Sequence, residues 1–509
     1  MTLQTALAEG ARTFPDRPWI SCDEAAWSYA EGDRITDRLA RGLMAAGVGP
    51  GDRVALLFAN GPEIAFSCYA CFKIGAIAVP LNIRLAPPEL AHALGHCEAK
   101  MLLGQAALCG AAMPLLTELP HLGSVYVTGE ALDGTGRFEA LCDSGAAAPL
   151  PAVDDGQAAV VMYTSGTTAK PKGVIHSHAA LRQQGKNFFD ALGKEVFERV
   201  VVSMPMCHIS GFSILVGVTQ AGGSLWTLGR FDPGQVLDLL QRSRATFGAG
   251  LPIQVKALVA HPRAAAFDLS ALRAFFCGGD YVQGELQGRF KAQFGVCLDE
   301  ICGMTEVYYT IQPLAQGERR PGTIGKPMGD VRVALLDRDG EPVGDGEVGE
   351  IVVRSAAMAL GYWNDPESTE AALREGWLWT GDLGSRDADG FYRFEGRSKD
   401  VIIRGGSNIS PREVEDVLCA HPAVADVGVV GAPDPEFGQV VWAYVALRAG
   451  AAAGDAELKA WAGERIAAYK VPERIVFMAA LPKGLTGKTD RKTLRERAAA
   501  EREAAAAQA

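Results

Sequence analysis

The chain has 509 residues, a formal net charge of -11, and 48% hydrophobic against 21% charged residues. This length exceeds what one hydrophobic core supports, so the sequence predicts two or more domains of a globular protein. The acidic balance argues against general affinity for nucleic acid or for anionic membranes, although it leaves room for a local basic groove that binds a phosphorylated ligand.

Neither a targeting segment nor a membrane segment is predicted. The first residues lack a basic stretch followed by an apolar core, and no later apolar run is long enough to span a bilayer. The eleven cysteines are an odd number, which favours reduced thiols over a disulfide framework. We therefore expect a cytoplasmic protein that binds small molecules, without nucleic acid and without integral membrane association. A homo-oligomer is compatible with the sequence, which does not determine the oligomeric state.

Strand-like apolar runs alternate with helix-length segments in the first part of the chain. Residues 53–58 predict a strand, 63–74 a helix and 76–80 the next strand, which together form a β-α-β unit. The same alternation recurs further on, over residues 158–163, 181–189 and 200–204. This pattern predicts an α/β fold.

Two residue pairs have metal-like spacing but weak support. Cys68 and Cys71 are surrounded by apolar residues on every side, as in a buried helix, and no second pair completes a zinc site. His176 and His178 directly follow an apolar strand and have no acidic or cysteine partners nearby in sequence. We interpret the cysteines as core residues and the histidines as a pair in a turn.

The segment from Met162 to Val174 crowds hydroxyl groups, glycines and two lysines between two apolar runs. Hydroxyl donors, bare backbone and positive charge together suit a polyphosphate. The common nucleoside-triphosphate loop, G-x-x-x-x-G-K-[ST], is absent. The residues that would contact phosphates are Thr164, Ser165, Gly166, Thr167, Thr168 and Lys172.

The composition changes after about residue 320. Residues 322–327, 331–336, 349–354 and 390–394 predict short strands with Gly/Asp turns, typical of a small β subdomain. From residue 400 the pattern is mixed again, and residues 493–509 form an Ala/Glu/Arg tail that we expect to fray. The helices and strands predicted between these two points are 411–420, 424–430, 440–447 and 456–468.

The Met162–Val174 segment resembles the T-S-G-T-T-G-x-P-K-G loop of the adenylate-forming superfamily, which contains acyl-CoA synthetases, amino-acid adenylation domains and beetle luciferases. Ala169 replaces the usual glycine. Further motifs follow in the family's order from residue 160 to 490, so the resemblance covers nearly the whole chain. It implies a large N-terminal domain of mixed sheets packed with helices plus a β subdomain, residues 1–396. A small α+β C-terminal domain, residues 397–509, would rotate about a hinge.

Cys302-Gly-Met-Thr-Glu306 resembles the family's Y-G-x-T-E motif. The resemblance implies that Thr305 contacts the phosphates and that Glu306 holds Mg²⁺, roles that suit a hydroxyl donor and a hard carboxylate ligand. Gly303 and Met304 belong to the same nucleotide-binding segment. Cys302 stands where the family usually has a tyrosine against the base, so base stacking at this position is an open question.

Two more segments would frame the adenine and the acid. Phe276-Cys-Gly-Gly-Asp280 resembles the family's adenine segment, in which Gly278 and Gly279 permit close approach of the backbone. Asp280 replaces a small residue and would either bind the adenine amino group or alter the acyl pocket. Met206-Cys-His-Ile-Ser-Gly211 resembles the segment beside the carboxylate, which makes His208 a wall of the acyl site.

The remaining motifs fall in the last third of the chain. By resemblance, Asp382 of Thr-Gly-Asp and Arg397 of Gly-Arg-Ser-Lys-Asp bind the ribose, and Lys399 is the hinge. Gly405 and Gly406 would line the tunnel for the coenzyme A thiol arm. Lys488, in the C-terminal Gly-Lys loop, would bridge the substrate carboxylate and the α-phosphate.

These motifs imply an acyl-CoA synthetase that uses ATP, Mg²⁺ and coenzyme A. A carboxylic acid would form an acyl-adenylate and release pyrophosphate, and coenzyme A would then take the acyl group and release AMP. One alternative is an enzyme that loads the phosphopantetheine of a carrier protein, and another is a binding protein that has lost catalysis. A monocarboxylic fatty or aryl acid is the preferred substrate class, since no arginine is placed for a second carboxylate.

Overall fold

The computed structural model of this chain describes residues 2–143, 148–164, 171–279, 282, 284–312, 319–320, 322–405, 407–484 and 487–506. The helices are α1 Leu3–Thr13, α2 Tyr29–Ala45, α3 Pro62–Ile74, α4 Pro87–His96, α5 Ala106–Cys109, α6 Met113–Leu116, α7 Phe138–Asp143, α8 His178–Leu192, α9 Ile209–Ala221, α10 Pro233–Arg242, α11 Pro252–Ala260, α12 Gly284–Phe294, α13 Pro366–Ala372, α14 Pro411–Cys419, α15 Asp455–Gly463 and α16 Arg491–Ala506.

The strands of the described residues are β1 Pro18–Cys22, β2 Ala25–Ser28, β3 Arg53–Leu57, β4 Ile77–Pro80, β5 Met101–Gln105, β6 Ser124–Thr128, β7 Gly136–Arg137, β8 Ala158–Thr164, β9 Lys172–Ser177, β10 Arg199–Val202, β11 Ser224–Thr227, β12 Phe247–Gly250, β13 Ala274–Cys277, β14 Leu298–Met304, β15 Val307–Ile311, β16 Lys326–Pro327, β17 Arg332–Leu336, β18 Gly349–Arg354, β19 Gly361–Tyr362, β20 Leu373–Arg374, β21 Trp377–Arg386, β22 Tyr392–Arg397, β23 Ile402–Arg404, β24 Ser407–Ile409, β25 Val424–Asp434, β26 Gly438–Leu447 and β27 Arg474–Met478.

The chain divides into two compact units. The first contains residues 1–333 and 353–378, and the second contains residues 334–352 and 379–509. The segments 334–352 and 379–396, which the sequence analysis assigned to the N-terminal domain, thus group by contacts with the C-terminal residues. A contact boundary does not identify a moving body, so the hinge near Arg397 stays a prediction.

Two mixed sheets form the first unit. One has the order β16-β15-β14-β13-β12-β10-β11-β1-β2, and the other has the order β19-β9-β8-β4-β3-β5-β6-β7. In the first sheet the strands from β14 to β1 are parallel, and its edges are antiparallel. The predicted β-α-β unit is β3-α3-β4, whose strands pair in parallel. The mixed α/β architecture predicted from the sequence is confirmed.

Helices α3 and α9 are apolar on all sides because neither has a solvent face. Every residue of α3 except Glu63 is buried, including Cys68 and Cys71, so the core interpretation of these cysteines is correct. Phe72 of α3 meets Phe212 of α9 and His178 of α8 through ring edges. Continuous burial, and not amphipathic spacing, therefore characterises α3 and α9.

The second unit contains a sheet of order β24-β23-β26-β25, with β27 on β26. Its apolar cluster includes Val414, Val429 and Val445, which are all completely buried. The predicted fraying tail is wrong over residues 493–506, which belong to α16. Leu494 and Ala498 of this helix are also fully buried, against the other face of the same sheet. Because the segment is rich in alanine, the sequence pattern did not identify these two core positions, which are one helical turn apart.

Two smaller expectations also need correction. Residues 322–327 do not belong to a separate β subdomain, because β16 pairs with β15 of the first sheet. His176 and His178 do not lie in a turn, since His176 lies within β9 and His178 begins α8. Three or more His, Cys, Asp or Glu side chains that could hold a metal ion are not grouped anywhere in the described part of the chain.

Candidate active site

In the first sheet, candidate residues follow the carboxyl ends of three parallel strands, β10, β13 and β14. Strands β10, β12, β13 and β14 are adjacent and parallel, so their carboxyl ends lie along one edge of the sheet. His208 follows β10, Gly278 and Gly279 follow β13, and Thr305 and Glu306 follow β14. In open α/β sheets this edge is where ligands bind. Sequence motifs far apart in the chain are thereby brought to one place.

Gly278 and Gly279 are bare for steric reasons. A Cβ added to Gly278 would lie 2.9 Å from Cγ2 and 3.1 Å from the carbonyl oxygen of Ile301, and Gly279 has a φ of +87°. A larger residue at either position would be strained. The backbone after β13 therefore suits close approach by a planar ligand. Asp280 lies outside the described residues, so its two proposed roles stay open.

Thr305 and Glu306 form the two-residue turn between β14 and β15. The backbone carbonyl of Thr305 accepts a hydrogen bond from Nε2 of His176 at 2.8 Å, and the carbonyl of Glu306 accepts one from the amide of Ala359 at 2.8 Å. The turn is therefore fixed from two sides. Gly303 just before it cannot carry a side chain, since a Cβ would lie 2.7 Å from Cα of Tyr308.

His176 serves this turn in its neutral form. Its side chain is 2% exposed, and burial lowers its pKa to about 4 in spite of the opposing bond to the Thr305 carbonyl. At neutral pH the ring therefore donates from Nε2. The sequence analysis missed this role because the histidine is separated from the turn by more than a hundred residues, and spacing along the chain gave no indication of it.

The carboxylate of Glu306 is 7% exposed and accepts a hydrogen bond from the hydroxyl of Tyr362 at 2.6 Å. Tyr362 lies in β19, which pairs with β9 directly after the phosphate loop. A single buried carboxylate is an oxygen donor of the kind that Mg²⁺ accepts, and this ion usually takes its other ligands from phosphates and water. The donor set thus fits a Mg·nucleotide and does not fit a metal held by protein alone.

The phosphate loop connects β8 and β9. Thr164 ends β8 opposite Lys172, which begins β9, in an antiparallel pair. The ammonium of Lys172 donates to Oγ of Ser368 at 2.5 Å, lies 3.8 Å from Asp365, and stands 5.1 Å from the ring centre of Tyr362. The predicted phosphate contacts that lie outside the described residues are Ser165, Gly166, Thr167 and Thr168.

His208 is the N-cap residue of α9 and is half-buried. The segment before it is held by Asn60, whose side chain donates to the carbonyl of Met204 at 2.9 Å and accepts from the amide of Met206 at 2.7 Å. Nε2 of His208 lies 3.4 Å from the side-chain nitrogen of Asn82. The imidazole therefore stands at the start of a buried helix on a rigid support.

Two buried tyrosines follow Glu306 closely in the chain, and one of them contacts the start of α9. Tyr308 is 6% exposed, and burial raises its pKa, against the opposing hydrogen bond to Ser210. The thiol of Cys302 lies 3.2 Å from the hydroxyl of Tyr309, which is completely buried. Cys302 thus packs onto a neighbouring phenol at the position where a stacking tyrosine was expected. Met304 ends β14 one residue before the turn.

The second unit carries the predicted ribose site. Asp382 and Arg397 are opposite each other in the β21–β22 pair, and Nε of Arg397 lies 2.9 Å from Oδ1 of Asp382. The side chain of Asp382 is only 3% exposed, whereas that of Arg397 is 41% exposed. A buried carboxylate beside a guanidinium is well suited to accept hydrogen bonds from vicinal hydroxyls.

Lys399 lies in a single 3₁₀ turn, Ser398–Asp400, directly after β22. The turn is anchored on both sides, because the Ser398 hydroxyl donates to the carbonyl of Gly381 at 3.1 Å and Asp400 pairs with Arg495 at 2.7 Å. Lys399 itself is exposed. The predicted hinge thus falls on a short exposed turn between fixed neighbours.

Gly405 has a φ of +53°, and its amide donates to the carbonyl of Phe437 at 2.9 Å. Glycine adopts this left-handed angle without a steric penalty and leaves the backbone bare, which suits close approach by a narrow ligand. Gly406 lies outside the described residues. Lys488 is exposed on a loop whose base is closed by backbone bonds from Gly484 to Lys488 and from Asp490 to Pro482, at 2.8 and 2.9 Å.

Comparison with known proteins identifies the family. Residues 7–363 match the model of the AMP-binding enzymes, and residues 413–488 match the model of the AMP-binding enzyme C-terminal domain. The chain is 36% identical over 494 residues to a feruloyl-CoA synthase from Amycolatopsis, covering 96% of this chain and 97% of that protein. It is 34% identical over 500 residues to a sulfoacetate–CoA ligase from Cupriavidus necator, covering 96% of each.

A crystal structure of an anthranilate CoA ligase in complex with anthranoyl-AMP superimposes with a TM-score of 0.92, at 27% identity, over 99% of this chain and 98% of that one.

None of the helices that the structure describes combines the length and apolar content needed to cross a membrane. The chain belongs to the AMP-binding enzyme family, in the adenylate-forming superfamily, and is an ATP-dependent acid–thiol ligase of the acyl-CoA synthetase type that uses Mg²⁺ and coenzyme A.

Proposed function

We propose that this enzyme converts a monocarboxylic aryl or fatty acid to its coenzyme A thioester, with the residues named above in the roles that their motifs imply. The observation that carries the proposal is the convergence of His208, Gly278, Gly279 and the Thr305–Glu306 turn on one edge of a parallel sheet. The bare backbone after β13 supports an adenine site, and the buried carboxylate of Glu306 supports a Mg·triphosphate site beside it.

In the first half-reaction, the carboxylate oxygen of the acid attacks the α-phosphorus of ATP, and the bond to the β-phosphate oxygen breaks to release pyrophosphate. The enzyme positions two anions against each other and neutralises the developing charge. Thr305 donates to phosphate, Asp382 accepts from the ribose hydroxyls with Arg397 beside it, and Lys488 contacts the substrate carboxylate and the α-phosphate. No side chain serves as a nucleophile.

Mg²⁺, when bound at Glu306, supplies positive charge to the phosphate oxygens. The chain's own contribution is to hold Glu306 in place. The bonds that do so are the backbone contacts of the 305–306 turn to His176 and Ala359 and the side-chain contact to Tyr362.

In the second half-reaction, the sulfur of coenzyme A attacks the acyl carbon, and the bond to the AMP oxygen breaks. Lys488 is not required for this step, whereas the Gly405 segment is. We propose that rotation about Lys399 exchanges the two, as expected for an enzyme that runs two chemistries in one site. The exposed turn at Lys399 and the left-handed backbone at Gly405 support these assignments.

We infer the class of acid from the region around His208. Buried Tyr308 hydrogen-bonds to Ser210 at the start of α9, which supports a flat or slender acyl group. One relative is named for an aryl acid and another for a sulfonated acid, so overall identity does not decide the substrate. Burial raises the pKa of the Cys207 thiol, and the positive charge of Arg84 is near enough to oppose this shift slightly. A dicarboxylic acid therefore belongs in any substrate panel.

A panel of aryl, medium-chain, long-chain and dicarboxylic acids tests the proposal. Pyrophosphate exchange and thioester formation should both occur, with the highest kcat/KM for an aryl or fatty monocarboxylic acid. Preference for a dicarboxylic acid would overturn the substrate assignment. Exchange without any thioester on free coenzyme A, but with transfer to a phosphopantetheinyl carrier, would support the carrier-protein alternative instead.

The cysteines bear on where the protein is found. We propose a reducing, cytoplasmic setting because all eleven cysteines are free thiols. A homo-oligomer stays a proposal that sedimentation would test.

A further inference from the structure

Tyr362 links the phosphate loop to the predicted magnesium ligand, and nothing in the sequence motifs assigns it a role. Its hydroxyl donates to Oε1 of Glu306 at 2.6 Å, and the Lys172 ammonium lies 5.1 Å from its ring centre. One side chain therefore contacts an anion with its polar end and a cation with its aromatic face.

The backbone around Tyr362 is held by strand pairing, by a hydrogen bond and by close packing. Tyr362 pairs with Val174, and its amide donates to Oγ1 of Thr369 at 2.9 Å. The residue before it must be glycine, since Gly361 has a φ of +140° and a Cβ there would lie 2.5 Å from Cγ2 of Thr369. These restraints hold the phenol at one position relative to β9, on which the phosphate loop ends.

The direction of the bond between these two side chains is fixed by their chemistry. The phenol O–H group donates, and the Glu306 carboxylate oxygen accepts. A carboxylate held by such a bond keeps one orientation, whereas a carboxylate without it samples several rotamers and must be ordered when an ion binds.

We propose that Tyr362 is a positioning residue for the Mg·triphosphate. Its hydroxyl orients the Glu306 carboxylate toward the ion, and its ring keeps the Lys172 ammonium beside the same phosphates through a cation–π contact. This inference rests on the proposed function, because it requires that Glu306 meets Mg²⁺ and that Lys172 meets phosphate.

Tyr362→Phe removes the hydroxyl and keeps the ring. Calorimetric titration with Mg·ATP, without acid or coenzyme A, should show an affinity reduced on the order of tenfold or more, as expected for loss of a bond to a charged group. Titration with ATP in the presence of EDTA should show no change, because the ring still contacts Lys172. Tyr362→Leu should weaken the metal-free titration as well, since it also removes the ring.

Tyr126→Phe is the matched control. Tyr126 lies in β6, five strands away from β9 in the same sheet, and its hydroxyl forms no hydrogen bond with the described residues. This variant should bind Mg·ATP and ATP as the wild type does. A Glu306→Gln background gives a second test, because Tyr362→Phe should cause little further loss of Mg·ATP affinity there.

Steady-state kinetics separate positioning from structure. For Tyr362→Phe, we expect a higher Mg²⁺ concentration at half-maximal rate, restoration of kcat at high Mg²⁺, and an unchanged KM for the acid. A variant that loses Mg·ATP and metal-free ATP affinity equally, or whose defect Mg²⁺ does not relieve, would overturn the proposal. Failure of the wild type to form any thioester would instead contradict the proposed function, so the two failures are distinguishable.

Discussion

The candidate residues of the two units differ in how firmly they are held. In the first unit, Glu306 is buried and bonded to Tyr362, and the adjacent Thr305 carbonyl is bonded to buried His176. In the second unit, Lys399 and Lys488 are exposed on short turns. We infer that the groups that bind the nucleotide are built into the fold, whereas the hinge and the lysine needed for adenylation alone are exposed on the surface.

Asp382 is the informative exception, because it lies in the second unit yet is as buried as Glu306. The adenosine moiety stays bound through both half-reactions, as ATP, acyl-adenylate and AMP in turn. A firmly held ribose ligand is therefore expected under the same rule.

Lys488→Ala should give the largest selective effect. Loss of one preorganised charge beside a reacting phosphate lowers rates by roughly a hundredfold to a thousandfold. We expect that fall in acid-dependent pyrophosphate exchange and almost no change in thioester formation from supplied acyl-adenylate. Lys492→Ala, which removes an exposed lysine of α16, is the control and should change neither rate. An equal loss in both half-reactions would contradict the assignment of Lys488 to adenylation alone.

Asp382→Asn should weaken both half-reactions together. The buried carboxylate pairs with Arg397, and hydrogen bonds to charged groups contribute about 1.5–3 kcal/mol, so nucleotide affinity should fall roughly tenfold to a hundredfold. Binding of AMP measured by calorimetry checks this directly. Asp339→Asn, in an exposed turn, serves as the control. A variant that loses one half-reaction and keeps the other would contradict a ribose ligand that serves both.

Lys399→Pro should impair thioester formation on the order of tenfold or more while sparing pyrophosphate exchange. Proline fixes φ and disfavours the helical region for Ser398 before it, so the turn loses its freedom to change conformation. Lys399→Ala keeps that backbone freedom and should behave as the wild type. Single-turnover measurements of each half-reaction separate the two steps. If the alanine variant is as impaired as the proline variant, the side chain and not the hinge matters.

Acidification should destabilise the first unit with little effect near neutral pH. Burial lowers the pKa values of His176 and His178 to about 4, below the value of about 6.5 expected in the unfolded chain. The unfolded state then binds more protons, so the free energy of unfolding falls as pH drops from about 6.5 toward 4, by up to about 1.4 kcal/mol per pH unit for each histidine. Denaturant titrations at several pH values measure this slope. His176→Gln should reduce it, whereas an unchanged slope would contradict a neutral, buried His176.

The sequence predicted the architecture and most of the candidate positions because both depend on local patterns. Apolar runs located β3, β8 and β10, and glycine- and hydroxyl-rich motifs marked the strand ends that carry chemistry. The sequence did not predict contacts between residues that are far apart along the chain. Tyr362 and His176 act on Glu306 and on the Thr305 carbonyl from other strands, and no spacing along the chain connects them.

The incorrect prediction for the C-terminal residues also has a physical cause. Helix α16 was expected to fray because alanine, glutamate and arginine have no apolar stripe of the usual width, yet Leu494 and Ala498 suffice to bury one face. The short strand Gly361–Tyr362 comes three residues before the start of α13, which Asp365 and Pro366 mark in the sequence. The aspartate is the N-cap of α13, so the strand before it is tied to a fixed helix start.

The central claim is that the acid's own oxygen becomes bonded to the α-phosphorus before coenzyme A reacts. A carboxylic acid labelled with heavy oxygen in its carboxylate tests it directly, in a full reaction with ATP and coenzyme A followed by mass spectrometry of the products. We predict one labelled oxygen in each AMP formed and none in pyrophosphate. Label in orthophosphate, or AMP without label, would contradict an acyl-adenylate intermediate in this enzyme.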